Sequence, residues 1–572
     1  MQNNDLELLV FDNPIKATAR CRKKKIVKTE SGKIIVEKAE NNTQLFYLER
    51  NCVFERKFAA LEFIEINTYN SIEKIKKNKY VTYKFFENIE EVKFEQARFY
   101  ADRLASITKS ELNKEYSLEC LLSSWPDRYR NIIKLTDEYQ KYKEELYLGN
   151  YKKCVLEHGD FTKNNIVKFN GTIYLIDFEF SREHQPNGFD LLDLYRTYGK
   201  KGEINIDNYK LNSLKYDLVT RANTIVDSDE SIISVGVFSS DLKYAWEKLI
   251  PSSLEKVSYN GTFTWCSKWI KYFGNEYQPN IVLSFKNGNL LSITPLYVYK
   301  NNLRVIGTYP DLYDQCSFIY SDEKCFKDAI EYIYSLNFSI EIKHTNTSLK
   351  SYAIIYSFLY SSNITYKSFI SDVIPLINKS TFKLKKKQRD DKKRNINNLK
   401  LRENLDSKFE YQDISDNVIE ELVELHKSRW NGGPFDDIPK LKQFLIDISK
   451  SDLSIISTLY FGSKKTAIHF AYVNTDGSIT SAIPSYSTHY SSYSPGKILI
   501  QSLIEKSIED EVSIDFGRGA EVYKSWFAND SQTLANINIY QCNSLQKIRE
   551  KFNFKMEIII EKLYANLRTI IR

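Results

Sequence analysis

The stretch 155–180, VLEHGDFTKNNIVKFNGTIYLIDFEF, restricts the fold more than any other part of the chain. It reads as an apolar run, a polar loop, and two short strands joined by a turn. Asp160 stands two residues after His158, Asn165 five residues after Asp160, and Asp177 twelve residues after Asn165, closing the apolar run Ile173–Ile176. A hairpin of this kind brings two carboxylates and an amide to one end. One carboxylate can orient and deprotonate an attacking hydroxyl, while the amide and the second carboxylate hold a magnesium ion against nucleotide phosphates. The reading assigns Asp160 as the base and Asn165 and Asp177 as the metal ligands.

The spacing His-x-Asp-x4-Asn, followed by an Asp on the next strand, is that of a kinase catalytic loop and its metal-binding Asp. With Gly159 after His158, and Asp177-Phe178-Glu179 at the strand end, it resembles the aminoglycoside phosphotransferase and choline kinase superfamily. That resemblance implies a bilobal kinase-like domain over residues 1–228, using ATP and Mg2+ on a small hydroxyl compound. Upstream, LELLVF, KKKIVKT and KIIVEKA, the last two separated by Ser31-Gly32, read as a small antiparallel sheet. Lys38 matches the strand lysine that meets the ATP phosphates. Glu55, in the helical stretch Phe46–Phe63, matches its acidic partner, with Glu49 as second choice. The plainer alternative makes Lys38 and Glu55 surface charges. Lys79–Phe86 reads as the last strand of the small lobe and Gln96–Thr108 as the helix after it. Two features depart from the family. FDNPIKATARC, between the first strands, lacks the Gly that lets backbone N–H groups approach phosphates. After Asp190, which in the family is usually structural, only about 35 residues precede a change of composition at 226–231.

Beyond Ser231 the pattern W…GTF…W, HxxRW, YSPGK and DFGRGxExYK appears in that order. It resembles the CelD-type, Fem-like members of the GNAT acyltransferase superfamily, which carry two GNAT-like halves. The resemblance implies a first half over 229–390 and a second over 391–572 that holds acetyl-CoA or another acyl-CoA. Ser494 reads as an N-cap, Pro495 as the first helical residue, and Gly496 as the point where a ligand approaches backbone, with Lys497 beside it. Such a helix start binds pyrophosphate; the plainer alternative is an ordinary capped helix. DFGRGAEVYK, too polar and Gly-rich for a simple strand exit, is expected at the cleft, with Arg518 toward the cofactor and Glu521, Tyr523 and Lys524 nearby. Lys524 and His469 are candidates for moving the amine proton, although a strand histidine reads equally well as a satisfied core residue. Trp265 and Trp269, four apart, read as core anchors of a helix.

The fold class expected is therefore α+β multidomain: a bilobal kinase-like domain followed by a tandem GNAT-like α/β pair. The function expected is a bifunctional transferase. An ATP-dependent kinase of a small-molecule or sugar hydroxyl is fused to an acyl-CoA-dependent N-acyltransferase, in surface polysaccharide or secondary metabolite synthesis. Modification of aminoglycosides is an alternative on the same chemistry; so is an N-terminal part that only binds. The eight Cys form no CxxC pair, which argues against a structural zinc site and for a reducing cytoplasm. No apolar run is long enough to span a bilayer, and the N-terminus lacks the basic-then-apolar pattern of a signal peptide. A net charge of +7 is too mild to imply nucleic acid. The run 383–400, with nine basic and two acidic residues, reads first as a solvated helix face. Contact with CoA phosphates, a carrier, or an aminoacyl-tRNA donor stays open there.

Overall fold

The β-branched residues Ile26, Val27, Ile34, Ile35 and Val36 favour strands, and KKKIVKT and GKIIVEKA form an antiparallel pair, Lys23–Thr29 with Gly32–Ala39, in which Ile26 faces Ile35. The structure is a computed structural model. It describes residues 23–540 except 31, 63–64, 67–72, 76–77, 85, 160, 163, 178–180, 187–188, 201–205, 227–229, 363, 413–414, 431–433, 439 and 520. The predicted strand LELLVF, the Gly-free segment FDNPIKATARC and Asp160 lie outside the described residues. The chain divides into two compact units, 1–231 with 286–289, and 232–285 with 290–572.

In the first unit the strand pair continues into a four-stranded sheet through Asn78–Lys84 and Glu73–Ile75. The helix Asn42–Ala59 follows, started by Asn41, whose side chain accepts the Gln44 N–H at 2.8 Å. It buries Tyr47, Leu48, Phe54 and Phe58. Four helices, Phe94–Thr108, Lys114–Leu122, Asp127–Leu135 and Asp137–Leu148, precede the strand Lys153–Glu157. The hairpin Ile166–Phe169 with Thr172–Leu175 turns at Asn170-Gly171, both left-handed, with φ of 48° and 80°. This is the two-residue turn whose twist suits paired strands. It sets Ile166 against Leu175, and both join Phe58, Leu104, Phe161 and Leu194 in one core.

The strand Arg182–Pro186 returns beside Lys153–Glu157 with Arg182 opposite Glu157. Their side chains pair at 2.8 Å with at most 1% exposure, and Lys215 reaches the other Glu157 oxygen at 3.5 Å. Breaking such a pair from one side strands a buried charge, at a cost of about 3–5 kcal/mol. Arg182→Leu is expected to destabilise this unit by that amount in urea unfolding. Arg182→Leu combined with Glu157→Leu should cost less than the single change; a larger loss in the double variant would contradict this account.

The second unit is organised on one mixed sheet of thirteen strands among the described residues. Ser407–Gln412, Ser454–Phe461, Lys464–Val473 and Ile479–Tyr486 form an antiparallel meander, and Ile514–Asp515 then pairs parallel to Ile479–Thr480. The helix Pro495–Glu509 makes the crossover that a parallel neighbour requires. The strand Asp530–Ile539 lies between Ser339–Asn346 and Tyr366–Ile377, so the last described strand ties the two parts of the sheet together. Trp265 and Trp269 sit fully buried on the helix Phe263–Phe273, Trp269 stacking on Tyr277 at 5.7 Å. The division expected at 390/391 falls inside the helix Lys386–Glu403. No helix among the described residues is long and apolar enough to cross a membrane.

Candidate functional site

In the first unit, the hairpin register decides what stands at the open end. Because Leu175 pairs with Ile166, the next residue on each strand meets across the gap, and the Ile176 N–H donates to the Asn165 carbonyl at 3.0 Å. Asn165 and Asp177 are thereby held at the same end. Asn165 is nearly buried at 8% exposure, whereas Asp177 is exposed and carries a left-handed φ of 64°. That conformation is one an Asp tolerates better than most residues.

The loop entering this end is fixed by a buried carboxylate. Asp190 accepts the N–H groups of His158 at 2.8 Å and Gly159 at 3.1 Å. Burial, with Glu157 nearby, raises its carboxyl to about 8. The His158 ring bridges to the Ile176 carbonyl at 3.0 Å, and Ser181 donates to the His158 carbonyl at 2.9 Å. Arg50, on the helix Asn42–Ala59, donates to the carbonyls of Ser123 and Ser181. Burial lowers its guanidinium to about 9. Glu55 lies on the same helix at 4% exposure. Lys38 is on the second strand and pairs with Glu40 at 3.3 Å. Among the described residues no three His, Cys, Asp or Glu side chains are grouped to hold a metal ion.

In the second unit, the parallel pairing of Ile479–Tyr486 with Ile514–Asp515 lasts only for Ile479↔Ile514 and Thr480↔Asp515. Past that point the two chain segments part. A cavity of about 250 Å³ lies where they separate, lined by Pro484 and Tyr486 from one strand and Tyr523 from the other side. Ser494, Gly496 and Lys497, at the start of the helix Pro495–Glu509, complete its wall with Arg429, Ser491 and Ile500. Ser494 takes a left-handed φ of 53° and its side chain caps no helix N–H; Pro495 fills the first helical position. Gly496 is required by packing: a Cβ there would lie 2.6 Å from the Tyr486 ring. The Arg429 guanidinium lies over the Tyr486 ring, 4.1 Å from its centroid. Lys497 stands over Trp526 at 4.7 Å and near Asp391 at 3.8 Å.

The remaining candidates are placed elsewhere. His469 is wholly buried in the sheet, its Nε2 2.8 Å from Ser481 Oγ, and burial lowers its ring to about 4. Arg518 and Lys524 do not line the cavity. Arg518 pairs with Asp311 at 3.1 Å and sits 2.8 Å from the His344 ring. Lys524, 5% exposed, donates to the carbonyls of Gly517 and Arg518 and pairs with Glu521 at 3.0 Å. Asp314 accepts the Arg518 N–H at 2.9 Å, and Asp515 accepts the Gly517 N–H at 2.7 Å. The polar residues of DFGRG thus mostly hold their own turn. Among the described residues of DFGRGAEVYK, Tyr523 alone lines the cavity, and burial raises its hydroxyl to about 12. Arg429 and Tyr486 were given no role by sequence. The signal for Arg429 was the HxxRW motif; Tyr486 closes a strand of ordinary composition.

A scan against protein families matches residues 386–525 to the acetyltransferase (GNAT) domain. These residues form a GNAT domain. The cavity just described lies within it, at the parting of its strands. None of the curated proteins matches the chain. Among solved structures, a conserved protein of unknown function from Bacteroides thetaiotaomicron is similar at 10% identity, over 54% of this chain and 99% of its own, with a TM-score of 0.37. A tandem GNAT protein from the clavulanic acid biosynthesis pathway is similar at 6% identity, over 55% of this chain and 99% of its own, with a TM-score of 0.33. The choline kinase LicA from Streptococcus pneumoniae is similar at 13% identity, over 40% of this chain and 89% of its own, with a TM-score of 0.26.

The turn of the GNAT domain carries a pH-dependent stability. Burial and the neighbouring Asp314 raise the Asp515 carboxyl to about 7, whereas an unfolded Asp titrates near about 3.9. The folded state therefore holds this proton more tightly, and the associated stability is lost as pH rises from about 4 to about 7. Asp515→Asn keeps the acceptor for Gly517 and removes the titration. The variant is expected to match the wild type at pH 4 and exceed it at pH 7.5, in urea unfolding followed by tryptophan fluorescence. A difference that does not change with pH would refute the assignment.

Proposed function

We propose that the chain is a bifunctional transferase: an ATP-dependent kinase of a small-molecule or sugar hydroxyl, followed by an acyl-CoA-dependent N-acyltransferase. The observation that carries it is the cavity at the parted strands, where a helix start, Gly496 and Lys497 meet Tyr523. A helix N-terminus favours an anion, and Lys497 adds a cation at that end. The apolar walls from Pro484 and Ile500 suit a pantetheine arm. Bound acyl-CoA would supply an activated thioester. Tyr523, held protonated across the neutral range, suits the donation of a proton to the departing thiolate rather than the removal of one from the amine. In this reading Arg518 and Lys524 position the turn that carries Tyr523, and His469 is a core histidine.

The kinase half is supported by the end of the hairpin. Asn165 and Asp177 supply one amide and one carboxylate there. Magnesium typically takes one or two carboxylates from protein and its other ligands from water and phosphate. The anchoring of His158 and Gly159 by Asp190 stiffens the approach to Asp160, to which the reading assigns the hydroxyl proton. Acceptors among amino sugars and amino alcohols fit both chemistries; an aminoglycoside would fit them as well.

Two experiments test the halves separately. Gly496→Val forces the Tyr486 ring out of place, so the Kd for acetyl-CoA in calorimetry should rise about tenfold or more, while Tyr523→Phe should leave binding intact and lower turnover about 10²-fold. Equal affinity in Gly496→Val would remove the cavity from the acyl-donor reading. For the first unit, magnesium-dependent ATP turnover on a panel of sugars and amino alcohols should fall at least about 10²-fold in Asp177→Asn and in Asp160→Asn. If the wild type neither binds nor turns over ATP, this unit is a binding module and the GNAT domain alone is the enzyme.

A further inference from the structure

Gly517 brings two carboxylates together at the point where the parallel strands part. Its N–H donates to Asp515 Oδ1 at 2.7 Å, and a Cβ on it would lie 3.0 Å and 3.1 Å from the two carboxyl oxygens of Asp314. Asp515 is the last residue paired with Ile479–Tyr486, and Asp314 lies between the strands Asn302–Val305 and Ile319–Tyr320. Each acid gives its Oδ1 to backbone, Asp314 to the Arg518 N–H at 2.9 Å. Neither Oδ2 has a hydrogen-bond partner among the described residues. The nearby cations are paired with other acids: Lys256 with Asp476 at 3.2 Å, Lys524 with Glu521 at 3.0 Å and Arg518 with Asp311 at 3.1 Å. Arg518 Nε also comes within 3.7 Å of Asp314, again at Oδ1.

A buried hydroxyl points to what the two acids hold. Tyr259 is 2% exposed, and its hydroxyl makes no hydrogen bond of normal length and angle among the described residues. A buried polar atom left in that state is costly unless a ligand uses it. After burial, the groups that keep its proton on are Asp314, Tyr472 and Asp515, so it lies within electrostatic reach of both acids. Its ring stacks on Tyr472 at 3.9 Å. Tyr472 pairs with Thr480 and Thr480 with Asp515, so the side chains of Tyr472 and Asp515 share one face of the sheet. Burial, with Asp314 nearby, raises the Asp515 carboxyl to about 7, and burial raises that of Asp314 as well. Yet the Asp314 side chain keeps 23% exposure, so the pair is open to a ligand. A primary ammonium has three N–H donors and no acceptor; the two Oδ2 atoms and Tyr259 Oη offer three acceptors. A hydroxyl or an amide brings no charge to offset two enclosed carboxylates. No three His, Cys, Asp or Glu side chains among the described residues are grouped to hold a metal ion.

The acids are joined to the cavity by Tyr523, which lines it. Besides burial and Glu521, the Tyr523 hydroxyl is within electrostatic reach of both Arg429, in the cavity wall, and Asp314. We propose that Asp314, Asp515 and Tyr259 bind the acceptor as a primary ammonium, next to the acyl group held in the cavity. This rests on the acyl-donor reading of the cavity and names the acceptor as a cationic amine rather than a hydroxyl. Asp314 and Tyr259 both precede the matched span 386–525, so the acceptor site draws on sheet residues outside the GNAT domain. Asn at either acid keeps Oδ1 for the backbone and sets an N–H donor where Oδ2 stood, which opposes an ammonium.

The test titrates the full chain in calorimetry with glucosamine and ethanolamine, with the N-acetyl form of each, and with acetyl-CoA. At least one of the amines should bind, and its N-acetyl form at least about tenfold more weakly. Asp314→Asn and Asp515→Asn should each weaken the amine at least about tenfold. Acetyl-CoA affinity should stay within about twofold of wild type in both variants, which also shows that they are folded. N-acetyl forms that bind as tightly as the amines, unchanged amine affinity in either variant, or no binding of either amine would each overturn the proposal. If acetyl-CoA still binds the wild type in those cases, the acceptor site alone fails. If acetyl-CoA is not bound either, the acyl-donor reading of the cavity fails with it.

Discussion

The cavity of the GNAT domain exists because a parallel strand pair stops early. Parallel pairing begins at Ile479 with Ile514 and ends at Thr480 with Asp515. Asp515 does not continue the ladder, because its side chain accepts the N–H of Gly517 and bends the chain into a turn. Gly517 and Gly519 both take positive φ, 68° and 111°, which the turn requires and a β-branched residue would resist. The other strand runs on to Tyr486 against its antiparallel neighbour. One partner turning away while the other goes straight leaves a gap that side chains line but do not fill. The helix Pro495–Glu509 starts at that gap, and its first turn faces the opening.

The charged residues around the turn follow from the same geometry. A tight, partly buried turn leaves carbonyls and N–H groups without strand partners, and each needs one. Lys524 takes the carbonyls of Gly517 and Arg518, while Asp515 and Asp314 take the N–H groups. Arg518 is then held among Asp311, Asp314 and His344. Residues that look catalytic in sequence are thus engaged in holding backbone. Tyr523, with one polar atom on an aromatic body, is the member of the segment left facing the cavity.

This division explains what sequence could and could not reveal. Local pattern sufficed for the strand pair KKKIVKT and KIIVEKA, the helix starting at Pro495, and the two short strands within 155–180, since strand composition and helix start are local signals. It also sufficed to bring Asn165 and Asp177 to one end, because a two-residue turn leaves a single register. It did not suffice for roles in DFGRGAEVYK. Whether Lys524 meets a substrate or a carbonyl depends on where Asp314 and Glu521 lie, and Asp314 is two hundred residues away in sequence. The same limit hid Tyr486 and Arg429. The tyrosine gains its place only when Gly496 packs close to its ring and the Arg429 guanidinium stands over it.

The contrast between the two histidine-bearing strand regions carries the argument to its end. His158 and His469 are both buried, and each ring hydrogen-bonds through Nε2. His469 meets Ser481 on the neighbouring strand and so ties two adjacent strands inside a continuous sheet. His158 meets the carbonyl of Ile176, the residue before Asp177, and its own N–H is held by Asp190. One ring locks a sheet interior; the other locks a loop to the base of an exposed carboxylate. Composition and burial are alike at the two positions. What separates them is the residue at the far end of the hydrogen bond, and that is set by hairpin register in one case and by sheet pairing in the other.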